Sequence, residues 1–337
     1  MQLDLKSIIS TIIAGITLIF ASCTKTEEPE YVEEVTPQVI FLFSPGGLGD
    51  LSYCDCILSG VQKFKMNHPE VDIFIYSPQS VEEAEKIFTD WLKRPGSDIP
   101  VVFALASSDY ESLVDTHIGE YELADNKRIL LFESLKDYRN DKISTFQVSM
   151  YGASFLAGAC ARELIGEERS LILLGCVSDI PIQSAKDGFI AGLGNTNYDI
   201  QYLADDWSGY VMANATYQNM AEWSRLYGYI FPVAGGSNTG LYRYTREYSE
   251  SPYLAGMDVD QSYLSTKITG SVVKRFDIII NEYFTYWLQT GNLPQPAIYG
   301  LESGYVDWQI APLYQHLLGD VADRHRPTAQ QKENEYY

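Results

Sequence analysis

Basic residues are scarce in this sequence. The chain has 24 lysines and arginines against 45 aspartates and glutamates, which gives a formal net charge of −21. Proteins that bind nucleic acid present a basic surface to the phosphates, so this balance argues against nucleic acid as a partner. Small uncharged ligands are not excluded by the same reasoning.

Histidine and cysteine are also rare, with four and five copies. The sequence contains no GxSxG or HExxH motif and no Cys/His spacing typical of zinc, so we expect no enzyme activity, no metal and no cofactor. Cys54 and Cys56 are two residues apart on a predicted helix and point to different faces. We interpret them, with Cys160 and Cys176, mostly as small buried hydrophobes, and leave open whether any disulfide forms.

Long apolar runs are absent except at the amino terminus, where residues 8–20 follow Lys6. This run is short for a membrane span and is typical of a secretory signal peptide, which we place at residues 1–22. Cys23 follows two small residues, as in a bacterial lipobox, and is the predicted lipid attachment site. An ordinary signal peptide with an incidental cysteine and an uncleaved anchor helix are the alternatives. The main interpretation is a membrane-anchored lipoprotein of a bacterial cell envelope, facing the periplasm or the cell surface.

Two polar segments flank the rest of the chain. Residues 23–36 are acidic and have no apolar periodicity, so we predict a disordered tether there. Residues 321–337 are likewise polar, and we predict a disordered tail.

Between these segments, short apolar runs alternate with stretches of helical periodicity. Residues 39–43, 73–76, 101–105 and 129–132 are runs rich in β-branched and aromatic residues, and the alternation repeats in the second half of the chain. Strands buried on both faces and separated by helices indicate parallel sheets built from βαβ units. We predict an α/β protein with two doubly wound lobes, with ligands at the carboxyl ends of the strands.

Four loops follow predicted strands and are the candidate ligand contacts. Residues 44–53 contain three glycines, and residues 106–109 are small and hydroxylated, which is also typical of a helix cap. Residues 233–240 resemble a phosphate-binding loop without its lysine, so nucleotide hydrolysis is rejected. The last loop, residues 256–261, carries carboxylates that can accept hydrogen bonds from a vicinal diol, although a helix cap with a surface salt bridge is equally compatible.

These loops resemble the basic membrane protein (BMP) family of lipoproteins, which includes purine-nucleoside receptors of ABC importers. The resemblance lies in six segments in the family's order, between residues 39 and 288: the Gly-Gly…Asp-x-Ser-aromatic loop at 46–53, Phe-Leu-Ala-Gly at 155–158, Gly-x-x-x-Asp-Ile-Pro at 175–181 followed by Gly-Phe-x-Ala-Gly at 188–192, Ala-Gly-Gly at 234–236, Asp-x-Asp-Gln at 258–261, and the Thr269, Lys274, Asp277 segment. The chain departs from the family pattern at Leu51 and Cys54, where Lys and Asn are usual, and at Tyr53, which replaces Phe.

The resemblance implies a type I periplasmic binding protein with a three-crossover hinge. We expect residues 37–146 and 260–292 in the first lobe and residues 147–259 and 293–320 in the second. It also implies a nucleoside held in the cleft, with hinge closure around it, and an ABC permease as a partner. The rival interpretations are a surface-displayed receptor or sensor for another small polar or aromatic ligand without a transporter, and, less favoured, a nucleoside-processing enzyme.

The resemblance further assigns site residues. Tyr53 is expected to stack on the base from the first lobe and Trp207 from the second, although Trp207 could instead serve only core packing. Asp258 and Lys274 are expected to contact the sugar. The full set of expected ligand-binding residues is Asp50, Tyr53, Ser107, Trp207, Gly235, Asp258 and Lys274.

Overall fold

Two six-stranded sheets form the framework of the protein. The computed structural model describes residues 35–45, 47–194 and 196–337. The predicted signal peptide and Cys23 lie outside the described residues, as does most of the predicted tether. The strands are β1 (Gln38–Phe43), β2 (Asp72–Tyr76), β3 (Val101–Ala106), β4 (Lys127–Phe132), β5 (Ile143–Val148), β6 (Ser170–Cys176), β7 (Tyr198–Ala204), β8 (Tyr229–Val233), β9 (Tyr253–Asp258), β10 (Ile268–Lys274), β11 (Ala297–Tyr299) and β12 (Val306–Ile310).

Helices follow most of these strands. In the described part of the chain they are α1 (Tyr53–Asn67), α2 (Val81–Leu92), α3 (Glu111–His117), α4 (Tyr151–Ile165), α5 (Pro181–Leu193), α6 (Ala213–Leu226), α7 (Asn238–Glu247), α8 (Phe276–Thr290) and α9 (Gln315–Tyr336). Short 3-10 turns occur at Ser108–Tyr110, Trp207–Val211, Gly235–Ser237, Leu301–Ser303 and Pro312–Tyr314.

The first sheet is entirely parallel, with the strand order β11-β5-β4-β3-β1-β2. Its central strands are apolar because helices cover both faces, and every residue of β3 is buried. The second sheet has the order β12-β10-β9-β8-β6-β7 and is parallel except for β12, which runs antiparallel to β10. The predicted α/β class with two doubly wound lobes is therefore confirmed.

The chain passes between the sheets three times. The first crossover is residues 149–150, between β5 and α4, and the second is Arg275, between β10 and α8. The third is residues 300–305, between β11 and β12. These three connections form the hinge of a type I periplasmic binding protein, as the resemblance implied.

Two expected boundaries differ from the structure. Residues 268–274 form β10 in the second sheet instead of belonging to the first lobe from residue 260 onward, because β10 pairs with both β9 and β12. Residues 297–299 form β11, which pairs with β5 in the first sheet. The chain therefore leaves the second lobe only after Lys274.

The predicted disordered tail is also wrong. Residues 321–336 continue helix α9, which packs against α4. Leu318, Val321, Ala322 and Ala329 are buried at helical spacing, so the polar composition of this segment hides one apolar stripe.

The cysteines agree with the sequence-based expectation within the described residues. Cys54, Cys56, Cys160 and Cys176 are free and buried, as expected for small hydrophobes. No helix of residues 35–337, the two undescribed positions aside, is both long and apolar enough to cross a bilayer.

Candidate functional site

A cavity of about 310 Å³ lies between the two lobes, at the carboxyl ends of the strands. Loops after β1, β3 and β4 line it from the first sheet. Loops after β6, β7 and β8, together with the ends of β9 and β10, line it from the second. Its volume falls at the lower end of the range of small-molecule sites. The structure brings together in its lining all seven residues expected from the sequence, Asp50, Tyr53, Ser107, Trp207, Gly235, Asp258 and Lys274.

Asp50 organises the loop between β1 and α1. Its carboxylate accepts hydrogen bonds from the backbone N–H groups of Ser52, Cys54 and Asp55, at 2.8, 2.9 and 3.2 Å. These donors belong to the start of α1, which has no side-chain cap from Ser52 itself. Burial raises the pKa of Asp50 to about 6. Asp50 therefore shapes the loop, and its backbone contacts occupy both carboxylate oxygens.

Tyr53, the first residue of α1, places its ring inside the cavity. The ring packs edge-on against Phe276, with centroids 5.4 Å apart, and the Lys274 ammonium lies 5.0 Å from the ring centroid. The hydroxyl of Tyr53 is buried and has no hydrogen-bond partner among the described residues. A buried hydroxyl without a partner is costly, so a hydrogen bond to this atom would stabilise the site.

Lys274 is the centre of a buried charge cluster at the inner end of the cavity. Its Nζ donates to Glu133 Oε1 at 2.9 Å and lies 3.5 Å from Asp258 Oδ1. The second oxygen of Asp258 accepts a 2.5 Å hydrogen bond from Ser52 Oγ. Burial alone would lower the pKa of Lys274, but the Glu133 and Asp258 carboxylates outweigh it and hold this pKa above its usual value. The lysine is therefore a cation already paired with two carboxylates.

Two members of this cluster adopt a strained backbone. Glu133 and Asp258 have φ angles of 57° and 67°, in the left-handed region that non-glycine residues rarely occupy. Glu133 directly follows β4, Asp258 is the last residue of β9, and both residues line the cavity. Strain of this kind clusters at binding sites, where it fixes the direction of a side chain.

Trp207 and Tyr210 lie in the turn after β7 and present aromatic rings from the second lobe. Their rings stack with centroids 5.4 Å apart, and the Tyr210 hydroxyl donates to the Asp179 carboxylate. Burial raises the pKa of Asp179 to about 6. Gly235, with a φ of 51°, lies against Tyr210, since a Cβ there would come 3.0 Å from Tyr210 Cδ1. Gly235 thus leaves room for the ring.

Ser107 and its two neighbours form hydrogen bonds around the loop after β3. Ser107 Oγ accepts from the Asp109 N–H at 3.4 Å and caps the 3-10 turn that follows β3. Ser108 Oγ donates to Asp179 Oδ1 across the cavity at 3.3 Å, which joins the two lobes. Asp109 Oδ2 accepts from Ser44 Oγ at 2.6 Å, and burial raises the pKa of Asp109 to about 8.

Sequence reasoning missed Glu133, Asp179 and Tyr210. Glu133 directly follows a predicted strand, but its loop has no glycine or motif to single it out. Asp179 falls within the Gly-x-x-x-Asp-Ile-Pro segment, a motif to which the sequence alone assigns no role. Tyr210 is one of 25 tyrosines, and only the fold distinguishes it from the others.

The cavity is acidic overall. Among the described residues that line it, four carboxylates (Asp50, Glu133, Asp179 and Asp258) accompany the single ammonium of Lys274. No group of His, Cys, Asp and Glu side chains in the described part of the chain is arranged to hold a metal ion. The side chains that line the cavity can stack on a ligand and form hydrogen bonds with it.

Curated relatives resemble the chain over different lengths. It is 29% identical over 185 residues to basic membrane protein C of Borreliella burgdorferi, a match covering 51% of the chain and 50% of that protein. It is 25% identical over 298 residues to basic membrane protein A of Borreliella afzelii, covering 83% and 85%. The chain thus spans about half the length of the first of these relatives.

The fold is shared with a solved structure, and the sequence matches a family model. An ABC transporter solute-binding protein from Aeropyrum pernix K1 superposes with a TM-score of 0.69 at 17% identity, over 86% of this chain and 81% of the other, which shows the shared fold. The family model described as ABC transporter substrate-binding protein PnrA-like, Bmp, matches residues 37–333. The chain belongs to this family of PnrA-like ABC transporter substrate-binding proteins.

Proposed function

We propose that the chain captures a nucleoside in the cavity between its lobes for uptake by an ABC importer. One observation carries this proposal: an aromatic ring with a free buried hydroxyl, Tyr53, lies beside the charge cluster of Lys274, Glu133 and Asp258. A nucleoside combines a flat base with a sugar that bears a vicinal diol. The cavity offers a surface for each.

The base is assigned to the aromatic side chains. Tyr53 contributes a ring from the first lobe, and Trp207 and Tyr210 contribute rings from the second. Aromatic faces accept any flat ring, and the free hydroxyl of Tyr53 and the carboxylate of Asp179 can then select among bases by hydrogen bonding.

The sugar is assigned to the charge cluster. Carboxylate oxygens accept hydrogen bonds from hydroxyl groups, and the Lys274 ammonium can donate to them. Because the strained backbones of Glu133 and Asp258 fix these carboxylates, little ordering is needed when the ligand binds.

Closure of the lobes is the proposed response to the ligand. Direct interlobe hydrogen bonds already exist beside the cavity, from Ser108 to Asp179 and from Gln261 Nε2 to the Leu51 carbonyl at 2.7 Å. A ligand that contacts both lobes favours the closed arrangement, and a permease that recognises this arrangement discriminates loaded from empty protein.

The envelope location rests on the amino-terminal sequence. We propose that Cys23 carries lipid and holds the protein at a bacterial membrane. Labelled palmitate should be incorporated by the wild-type chain and not by Cys23→Ser, and equal labelling of both would contradict the anchor. Protease treatment of intact cells then separates surface display from a periplasmic location.

Calorimetric titration of the purified protein, freed of carried-over ligand by unfolding and refolding, tests the function. The panel is purine and pyrimidine nucleosides, the free bases and the free pentoses. We expect a nucleoside to bind more tightly than its base or its sugar, because only the nucleoside engages both ends of the cavity. Binding of pentoses alone, or of none of the panel, would contradict the proposal.

Site variants connect that binding to the assigned residues. Tyr53→Ala and Asp258→Ala should each weaken nucleoside binding at least about tenfold, equivalent to roughly 1.4 kcal/mol. Tyr263→Ala removes a tyrosine that is 72% exposed on the second lobe and should leave the affinity unchanged. Wild-type affinity in both site variants would refute the residue assignment.

A further inference from the structure

The carboxylate of Glu333, near the end of helix α9, is buried in the hinge. Glu333 is 4% exposed, and among the residues that the structure describes no cationic side chain forms an ion pair with it. Its Oε1 accepts hydrogen bonds from Ser149 Oγ at 2.6 Å and the Gly152 N–H at 2.9 Å, and its Oε2 accepts one from the Leu301 N–H at 2.6 Å. The carboxylate therefore accepts hydrogen bonds from neutral donors.

The three donors come from two different crossovers. Ser149 belongs to the first crossover, and Gly152 lies in the first turn of α4 directly after it. Leu301 belongs to the third crossover. The amino terminus of α4 has no side-chain cap from Met150, so Glu333 supplies the missing acceptor and also lies where the helix dipole favours a negative charge.

Gly300 shows how closely the third crossover approaches this carboxylate. A Cβ at position 300 would lie 2.4 Å from Glu333 Oε2 and 2.7 Å from its Cδ. The backbone of the crossover thus packs directly on the carboxylate, and a larger residue would displace it.

A second buried glutamate connects the crossovers on the cavity side. Glu133 Oε2 accepts from the N–H of Val148, the residue directly before the first crossover, at 3.1 Å. Its Oε1 accepts from Lys274, the residue directly before the second crossover. Glu133 therefore connects the first crossover to the second, and Glu333 connects the first to the third.

We propose that helix α9 takes part in the motion of the hinge. Glu333, which lies outside the ligand cavity, controls the equilibrium between open and closed lobes. Rotation of one lobe against the other changes the relative orientation of the crossovers. The bonds from Glu333 to the first and third crossovers then strain or break. Glu333 therefore favours the arrangement seen here, in which the lobes touch through Ser108 and Asp179. Glu333 is a positioning residue, and this role does not depend on which ligand binds.

The distance between the lobes is the readout that tests this role. Spin labels at Glu82→Cys in the first lobe and Glu222→Cys in the second, in a Cys23→Ser full-length chain, report that distance by double electron–electron resonance without ligand. The four cysteines at positions 54, 56, 160 and 176 are at most 8% exposed and should not take the label.

Glu333→Gln is the informative substitution because it keeps the size of the side chain. Both carboxylate oxygens accept hydrogen bonds, so the amide nitrogen of glutamine must face a donor and one crossover is released. We expect the ratio of long to short interlobe distances to rise about tenfold, the effect of losing one hydrogen bond to a charged group. Glu335 lies on the same helix and hydrogen-bonds to the exposed residues Gln331 and Lys332, so Glu335→Gln should leave the distribution unchanged.

Two further variants separate a hinge effect from a loss of stability. Gly300→Ala displaces the carboxylate without removing it and should lengthen the distances as Glu333→Gln does. In a Glu333→Ala background the same Gly300→Ala change should add little, because no carboxylate remains to be displaced. A lowered melting temperature with a wild-type distance distribution in Glu333→Gln and Gly300→Ala would overturn the proposal and leave Glu333 a purely structural cap.

Discussion

At the scale of a single residue, Lys274 is a buried charge whose position in the cavity is fixed by its two carboxylate partners. Its ammonium is 3% exposed and is balanced by Glu133 and Asp258, which are almost as deeply buried. Charges taken out of water are tolerated only while their partners remain. The cluster therefore contributes less to net stability than to fixing the direction of three polar groups that face a ligand.

Removal of that lysine should be strongly destabilising. Lys274→Met leaves two buried carboxylates without their cation, and we expect the free energy of unfolding to fall by about 3–5 kcal/mol. Denaturant unfolding followed by circular dichroism measures this change. Lys63→Met, which breaks an ion pair with Asp277 in which the lysine is 55% exposed, is the control and should cost less than about 1 kcal/mol. Equal losses in both variants would show that Lys274 is not a buried partner.

Asp109 should make stability depend on pH in a predictable direction. Burial raises the pKa of this carboxyl to about 8 in the folded protein, well above the value of about 4 for an ordinary aspartate. The folded state therefore holds a proton that the unfolded state releases, and this contribution to stability is present below pH 4 and is lost as pH rises to about 8. The raised pKa values of Asp50 and Asp179, both about 6, act in the same direction at lower pH.

Asp109→Asn should consequently flatten the stability profile between about pH 6 and pH 8. The amide does not titrate, so the melting temperature should decline less in this interval, while the decline below pH 6 should persist. Melting temperatures measured at half-unit intervals of pH test this. Asp125→Asn changes a fully exposed carboxylate and should reproduce the wild-type slope. An unaltered slope above pH 6 in Asp109→Asn would contradict the assigned pKa.

Helix α9 has a structural role that its amino-acid composition does not indicate. Its residues are mostly polar, yet four apolar side chains of one stripe pack toward α4, and Glu333 follows the same face into the hinge. An amphipathic helix gains most of its stability from such a stripe. The helix is thereby a structural part of the second lobe.

Neighbouring leucines at the start of α9 provide a matched test of this docking. Leu318 is fully buried, whereas Leu317 is 46% exposed. Leu318→Ala should lower the free energy of unfolding by about 2–5 kcal/mol through lost burial and a cavity, and Leu317→Ala should have little effect. Chemical denaturation of both variants measures the difference, and similar values would mean that the helix is not packed as described.

The strands and loops that the sequence predicts correctly each have a recognisable local sequence pattern. The strands after which the cavity loops begin, such as β1 and β3, are short buried runs, and their loops carry glycine or small hydroxyl residues, so both strand and loop were recognisable. The seven expected cavity residues follow from those loops and from the family resemblance. Glu133 and Tyr210 have no such signal, because the backbone angle of Glu133 and the hydrogen bond from Tyr210 to Asp179 exist only in three dimensions.

The errors in the predicted organisation have the same origin. The expected change of lobe at residue 260 was 15 residues early because strand pairing, which has no marker in one sequence, keeps β10 in the second sheet. The tail was misjudged because its apolar stripe is diluted by charged residues. Contacts between residues that are distant in the sequence decide both the lobe boundary and the structure of the tail.

At the scale of the whole molecule, electrostatics limits the ligands that the cavity can accept. The chain carries a net charge of −21, and four carboxylates line the cavity against one lysine that is already paired. Uncharged molecules are unaffected by this field, whereas anions are repelled as they approach and again when they lose water inside. The excess of negative charge in the whole chain is therefore also present at the site.

Phosphorylated forms of the ligand should therefore bind poorly. A phosphate charge held about 8 Å from one uncompensated carboxylate costs about 2 kcal/mol at the effective dielectric constant of a partly buried site, which weakens binding about thirtyfold. We expect a nucleoside 5′-monophosphate to bind at least tenfold more weakly than its nucleoside in paired calorimetric titrations at 0.15 M salt. Asp179→Asn, which keeps the size of the side chain and removes one of the four charges, should narrow the difference. Tighter binding of the monophosphate would show that the phosphate pairs with a cation other than Lys274, and would contradict a selectivity based on the charge of the cavity.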